Sequence, residues 1–594
     1  MVLDGNAIGG LLQQVFGTDM TDAEATCATC GAAGPVAETI VYLRGPGTVV
    51  RCRSCSAVLM VISQIRGLNC VDLGGLTALD PARTARHGPG LVVGLDDVPP
   101  SGLADPRPMS GSAENVHDVI VIGAGPVGYT VAARVRAAGL SVAAVERELV
   151  GGECSYWACI PSKAMLRPVV AAADARRVAG ARQAVTGTVD AQAVFARRDE
   201  WVTGWNDEGQ AAGLKGLGVE LIRGHGRLDG HRRVAVQTPE GGTVALTARH
   251  AVVICTGSRT ALPELAGLAE ARPWTNRHAT DSRTVPGRLA IVGGGGVGVE
   301  MASAWQGLGA AVTLLAQADG LLPRMEPFAG ELVGRALAEA GVDVRIGVTV
   351  TGIRRPGGTG PVTLTLEDGG EVEADEALFA TGRRPLTDDV GLDTVGLVPG
   401  SWLEVDDTCM VRAVKRDGEV GGGWLYALGD INHHALLTHQ GKYQARIAGA
   451  AIAARAAGQP VDPSPWGPHA VTADYRAVPQ VFFCDPPAGA VGLTADQAER
   501  AGHRIRVVDV DLGQTVPGAG LYADGYTGRA RMVVDEDHGC LLGVTFVGPG
   551  VEELIHSATI VVAGQVPIGR LWHAVPCFPS ISEAWLRLLE GYWT

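Results

Sequence analysis

The chain has 594 residues, a formal net charge of −14, and 46% hydrophobic against 19% charged residues, enough for about four domains. The acidic balance argues against nucleic acid or an anionic membrane as the main partner, since both attract dense basic patches, and the apolar fraction excludes a disordered chain. No run of about 18 to 20 apolar residues offers a membrane span, and the opening MVLDGNAIGG lacks the basic-then-apolar order of a secretory leader. A soluble cytoplasmic protein is expected, in which the 12 cysteines are free thiols, metal ligands or catalytic groups.

Residues 1–81 read as a small separate module. Cys27-Ala28-Thr29-Cys30 and Cys52-Arg53-Ser54-Cys55 form two CxxC knuckles around a strand-rich stretch, residues 38–51. That spacing predicts a tetrahedral four-cysteine site of zinc-ribbon type, with zinc the expected ion and iron the alternative. Gly31 follows the first knuckle as a rubredoxin-like site requires, whereas Ser56 breaks the rule at the second. The module resembles short stand-alone zinc-ribbon-like proteins, which suggests a fused docking role. Residues 82–116, rich in Gly, Pro, Ser and Arg, read as a flexible linker, and Met109 is an alternative start for the remainder.

From His117 a β-branched strand, the turn GAGPVG and an alanine-rich helix follow in order. A bare GxGxxG is weak here, because 83 glycines make about one or two chance matches expected. Context decides instead. Gly123, Gly125 and Gly128 sit between strand and helix, and Glu146 ends the next strand, the arrangement that places a pyrophosphate on a helix N-terminus and a ribose on a carboxylate. Gly293, Gly295 and Gly298 repeat it, with Glu300 two residues on. The second strand of that copy ends Leu314-Leu315-Ala316-Gln317, without an acid or an arginine, so NADH and NADPH both stay open.

Between the two units lies GGECSYWACIPSK, residues 151–163, where Cys154 and Cys159 stand five apart at a helix start. A helix N-terminus favours the thiolate needed for disulfide exchange; the bland alternative is a pair of buried cysteines. Lysine occurs only four times, which draws attention to Lys163. From about Ala477 the texture changes to short strands and later helices, an α+β pattern.

Taken in order, GAGPVG, GGECSYWACIPSK, ICTGSR, GGGGVGVE, FATGRRP, YALGD, LLT, VPQVFFCDPPAGAVGLT and PSISE resemble the FAD-dependent pyridine nucleotide-disulfide oxidoreductases, the group of dihydrolipoamide dehydrogenase, glutathione reductase and mercuric reductase. The resemblance runs from about His117 to Thr594. It implies an α/β chain with two doubly wound nucleotide-binding domains and a C-terminal α+β interface domain: FAD-binding parts at 117–262 and 385–468, an NAD(P)-binding domain at 263–384, and an interface domain at 469–594 that makes a homodimer. It further implies that Gly123, Gly125, Gly128, Glu146, Gly152, Lys163, Thr256, Gly257, Asp430 and Thr438 hold FAD, and that Gly293, Gly295, Gly298, Glu300 and Gly382 hold NADH or NADPH. Cys159 would be the thiol in charge-transfer contact with flavin, Cys154 the interchange thiol facing substrate, and Lys163–Glu300 an ion pair beside the flavin.

One departure matters. The family carries His-Pro-Thr-x-Ser-Glu near the C-terminus, whose His serves the partner subunit's interchange thiol while the Glu orients it. Here the segment is Phe578-Pro579-Ser580-Ile581-Ser582-Glu583, and phenylalanine is neither acid nor base. His573 could fold back to replace it or simply pack, and Cys577 could act as a third thiol, though a small buried role is the plainer expectation. Cys70, Cys255, Cys409, Cys484 and Cys540 are expected to be structural. The resulting function is NAD(P)H-driven reduction of a small-molecule or protein disulfide or related acceptor through Cys154 and Cys159. A quinone or metal-ion acceptor that bypasses the thiols, and a non-catalytic flavoprotein sensor, are the alternatives.

Overall fold

The computed structural model describes residues 3–8, 11–12, 20–21, 23–42, 47–65, 68–73, 76–80, 115–412, 415–416, 419–420 and 423–594. Residues 82–114 of the expected linker, Met109 among them, and the side chain of Cys70 lie outside the described residues. The chain divides into two compact units, Met1–Gly88 and Pro89–Thr594.

In the first unit, strands Leu3–Asp4, Ile40–Tyr42, Gly47–Arg51, Val58–Ile65 and Leu68–Asp72 form an antiparallel sheet in that order. The strand-rich stretch 38–51 thus supplies its second and third strands. Ile8, Leu12, Val36, Val41, Val50 and Met60 form its small core. A core of this size needs a further staple, which a metal site can supply.

In the second unit, Glu220–Arg223, Val142–Glu146, Val116–Ile122, Thr243–Ile254 and Leu425–Ala427 pair in parallel. A parallel sheet is covered on both faces, so its strands are continuous apolar runs; all five residues of Val142–Glu146 are buried. Helix Pro126–Ala137 opens with proline at its first turn, where the missing N–H is no loss, and packs beside helix Thr438–Ala456. A second parallel sheet follows the order Asp343–Ile346, Ala311–Ala316, Arg288–Val292 and Glu376–Phe379. Its chain segment is inserted between Thr243–Ile254 and the last strand of the first sheet.

The C-terminal part carries the expected strands as Pro479–Phe482, Arg529–Asp535 and Cys540–Val547, joined by Ala488–Gly492 and Ile505–Asp511 in one antiparallel sheet. Helices Leu554–Ala563 and Ala584–Trp593 pack on it. Among the described residues no helix is long and apolar enough to cross a membrane.

Candidate functional site

The two glycine turns are built alike. A Cβ on Gly128 would lie 1.8 Å from the Gly123 carbonyl oxygen, and one on Gly298 would lie 1.8 Å from that of Gly293. Gly123 and Gly293 themselves have φ of 96° and 123°, in the region that favours glycine. The third glycine of each motif therefore serves packing. A Cβ on the middle ones would meet nothing closer than 3.9 Å at Gly125 and nothing within 4 Å at Gly295, which leaves the helix N-terminus open to a phosphate. The Glu146 carboxylate accepts from the Ala124 N–H at 2.7 Å and the Glu148 N–H at 2.8 Å; burial pushes its pKa up.

Cys154 lies in the short helix Gly152–Tyr156, and Cys159 is the first residue of helix Cys159–Arg176. Thr438 opens helix Thr438–Ala456, and its hydroxyl donates to Cys154 Sγ at 3.1 Å while standing 3.4 Å from Cys159 Sγ. Two helix N-termini thus converge on the sulfurs, where partial positive charge favours a thiolate. The hydrogen bond from Cys154, helped by Thr438 and Lys163 and opposed by burial, draws the Cys159 thiol down to about 6. The same bond and burial push Cys154 well above the ordinary thiol range. The pair is therefore asymmetric, one thiolate and one thiol.

Lys163 is one turn beyond Cys159 on the same helix. Its ammonium meets Glu300 Oε2 at 2.7 Å and lies 5.1 Å from the centre of the Phe483 ring, while Glu300 Oε1 accepts from the Phe483 N–H at 3.0 Å. Burial works against the charged amine, yet Glu300 and the thiols hold its pKa above the ordinary value. This pair joins the redox helix to the inserted domain and the C-terminal sheet, whose Phe482 ring closes over Gly296.

Sequence reasoning missed the clamp around the redox loop. Arg277 donates to Glu153 Oε2 at 2.8 Å and pairs with Glu148, and its guanidinium lies 4.1 Å from the centre of the Trp157 ring. Asn276 donates to Glu153 Oε1 at 2.7 Å and to the Trp157 carbonyl at 2.9 Å. The bulk of Trp157 thus serves to anchor the loop. The one available signal was a charged Glu153 wedged between Gly152 and Cys154.

Near the C-terminus, Glu583 is only 3% exposed, and its Oε2 has no hydrogen-bond partner. His573 is exposed and does not reach it. Phe578 is 75% exposed and Val575 85%. Cys577, expected as a buried residue, is exposed instead: its segment carries Pro576 and Pro579, which cannot donate to a ladder, and it runs along the surface. Cys255, Cys409 and Cys484 are buried as structural thiols are, and Cys540 is half-buried.

In the N-terminal unit the four predicted cysteines come together. Their Sγ atoms lie within 4.8 Å of one another, with Cys27–Cys55 and Cys30–Cys52 both at 3.7 Å. A tetrahedral zinc–thiolate site has sulfur–sulfur edges of about 3.8 Å, so the donor set fits zinc. The knuckles repeat each other: Gly31 N–H donates to Cys27 O and Ser56 N–H to Cys52 O, both at 2.9 Å. Ser56 adopts φ of 61°, matching the 70° of Gly31, so the serine takes the glycine's left-handed conformation.

Residues 117–457 match the family model described as pyridine nucleotide-disulphide oxidoreductase, and residues 478–589 match that family's dimerisation domain. The chain belongs to the pyridine nucleotide-disulphide oxidoreductases. Residues 1–84 match a family of unknown function. Dihydrolipoyl dehydrogenases of Haloferax volcanii and Thermus scotoductus are both 31% identical over 80% of this chain, covering 96% and 97% of those proteins. Among solved structures, LpdA from Mycobacterium tuberculosis is 25% identical with a TM-score of 0.66, covering 80% of this chain and 99% of that one. The HOCl-induced flavoprotein disulfide reductase RclA from Escherichia coli, at 24% identity and a TM-score of 0.67 over the same shares, shares the fold.

As a pyridine nucleotide-disulphide oxidoreductase the chain is an FAD-dependent NAD(P)H oxidoreductase acting on sulfur groups. Its residues fit the flavin. Thr256 Oγ1 is buried with no partner, and a Cβ on Gly152 would come within 3.0 Å of Gly125 Cα, so the expected contact surface is kept free of side chains. Asp430 is bonded to Ser258, which Arg383 holds through its Nε at 2.9 Å and by a bond to the Ser258 carbonyl at 2.6 Å.

Proposed function

We propose that this oxidoreductase passes electrons from NAD(P)H to Cys154 and Cys159, and from them to a small-molecule or protein disulfide. The observation that carries this reading is the asymmetric thiol pair, one sulfur favoured as thiolate and the other as thiol, under a single hydroxyl. FAD, when bound, supplies hydride acceptance from the nicotinamide and passes the electron pair onward. Gly123, Gly125, Gly128, Glu146, Gly152, Thr256, Gly257 and Asp430 would hold it, and Gly293, Gly295, Gly298 and Gly382 the nicotinamide dinucleotide.

Within that frame each remaining residue has a task. Cys159 keeps its charge beside Lys163, and Glu300 holds Lys163 in place and compensates its ammonium. Cys154 is the sulfur that meets the acceptor. An FAD-binding domain in two parts, at 117–262 and 385–468, is supported by the pairing of strand Leu425–Ala427 with Thr243–Ile254. The exposed apolar residues Leu521, Ile560, Val575 and Phe578 suit a homodimer formed through the C-terminal domain, in which Glu583 and the His573 segment would approach the partner's thiols. Cys27, Cys30, Cys52 and Cys55 would bind zinc, making residues 1–81 a docking module. Free thiols of this number suit the cytoplasm.

A second reading, a quinone or metal ion as acceptor without thiol turnover, is favoured by Phe578, which offers no proton to a leaving thiolate. Anaerobic reduction with NADH and NADPH in parallel, then reoxidation by disulfides, quinones and metal ions, separates the two. The disulfide reading expects a long-wavelength absorbance on reduction that Cys159→Ser abolishes; a normal band in that variant overturns it. Full quinone turnover by Cys154→Ser supports the second reading.

A further inference from the structure

The redox pair needs a proton to move before it can act. The nucleophile toward an acceptor is a Cys154 thiolate, yet burial and Cys159 keep the proton on Cys154 and the charge on Cys159. In this chain Phe578 stands where the family has its histidine. Besides Thr438, the groups that act on the sulfurs are Lys163 and Glu300, and these are committed, as are two histidines near Thr438 in the chain. Lys163 and Glu300 are locked in their 2.7 Å pair. His439, next to Thr438, has its Nε2 on the Pro479 carbonyl at 2.8 Å, and burial lowers its basicity. His434 has its Nδ1 on the fully buried Asp474 at 3.2 Å.

Among the described residues, Thr438 alone hydrogen-bonds to both sulfurs, at 3.1 and 3.4 Å. A hydroxyl has one proton to give and lone pairs to receive another, so one group can donate to one sulfur while accepting from the other. We propose that the Thr438 hydroxyl is a catalytic proton relay between Cys154 and Cys159, doing acid–base work that Phe578 cannot.

The step balances. The hydroxyl, which donates to Cys154 in this structure, first turns its proton toward Cys159; it then gives that proton to the Cys159 sulfur and takes that of Cys154, leaving a Cys154 thiolate and a Cys159 thiol with no electrons moved. The Cys154 thiolate then attacks the acceptor disulfide; a new sulfur–sulfur bond forms, the acceptor's own breaks, and the released thiolate takes a proton from solvent. Cys159 next attacks the Cys154 sulfur, its proton returning through the hydroxyl to the second thiolate released. The Cys154/Cys159 dithiol is oxidised by two electrons to its disulfide, the acceptor disulfide is reduced by two electrons to two thiols, and Thr438 is unchanged.

This inference rests on the dithiol reading, and the test separates the two. Holoenzyme reduced anaerobically with one equivalent of NADH is mixed in a stopped-flow instrument with bis(2-hydroxyethyl) disulfide, and loss of the long-wavelength absorbance is followed across the neutral pH range. Thr438→Val is expected to slow that loss about 10²-fold at neutral pH, regaining rate as rising pH lets solvent take the Cys154 proton. Thr438→Ser restores the rate to within a few-fold. In wild type, rates in mixed light and heavy water should give a curved plot with two protons in flight, a readout that needs no variant. An unchanged rate in Thr438→Val, a loss equal at every pH that serine does not restore, or a linear isotope plot overturns the relay alone. Absence of the long-wavelength absorbance in wild type overturns the dithiol reading and the relay with it.

Discussion

The twin turns separate packing glycines from ligand glycines, and the distinction is measurable in the inserted nucleotide-binding domain. In Gly298→Ala the new Cβ would stand 1.8 Å from the Gly293 carbonyl oxygen, whereas contacts under 3.0 Å are essentially unseen in folded proteins. Backbone must part by more than an ångström against backbone, which cannot rotate away. Overpacking costs about 1–3 kcal/mol, and a rigid partner places this change near 3 kcal/mol, about a 10²-fold shift in the folding equilibrium. A domain spanning 263–384 lies between the sizes for which 1 kcal/mol shifts Tm by about 4–8 °C and by about 2–4 °C, so at about 4 °C per kcal/mol the FAD-loaded protein should lose about 12 °C in the Tm of that domain. Gly295→Ala meets open space and should keep its Tm within about 1 °C, but its methyl group would occupy the approach to the pyrophosphate and raise the NADH concentration needed for half-maximal flavin reduction. Scanning fluorimetry and the reductive half-reaction measure the two effects. Equal Tm losses, or a silent Gly298→Ala, would refute the assignment of roles.

Because the Cys159 thiol is drawn down to about 6, the thiolate absorbance of reduced enzyme should fade as pH falls through about 6 and stay full above it. Lys163→Met should move that midpoint upward, and a midpoint left in place would contradict the role given to the ammonium. Arg277→Ala removes the cation from Glu153 and Trp157; with Arg277 about one-third exposed, screening limits the loss to about 1–2 kcal/mol, read as faster hydrogen exchange across residues 152–159. The N-terminal module should hold one zinc per chain by elemental analysis, lost in Cys30→Ser. Ser56→Gly relieves a left-handed strain of about 1–2 kcal/mol against about 0.5–1 kcal/mol of added chain entropy, so zinc loss to a chelator should slow slightly; faster loss would show that the serine is not strained.

Much of this molecule was legible because its chemistry is local in sequence. Strand, glycine turn and helix follow one another within thirty residues, and Cys154, Cys159 and Lys163 share one stretch, so their meeting needed no knowledge of the fold. The two knuckles were legible for the same reason, but Ser56 was not: a rule about residue type cannot see that a serine will adopt the glycine's φ when the second knuckle repeats the hydrogen bonds of the first. Arg277 and Asn276 were illegible because they reach the redox loop across more than a hundred residues, and nothing in NRHAT marks that contact. Cys577 was misjudged because burial was inferred from residue type, while the prolines flanking it keep the segment out of any ladder. Thr438 was expected beside the flavin; that its hydroxyl spans both sulfurs is a matter of ångströms, which sequence does not encode.

The first parallel sheet closes late. Val252 in strand Thr243–Ile254 pairs with Leu425, 173 residues downstream, and the whole inserted domain lies between them. At about 5–20 residues per second of synthesis, the edge of Thr243–Ile254 waits roughly 10–35 s on the ribosome before its last neighbour exists. The inserted domain, whose four parallel strands all fall within that interval, can fold in the meantime. Through that window the chain carries an open apolar edge of the kind that recruits wrong strands, so its yield in cells should depend on translation speed and chaperone supply more than on its final stability.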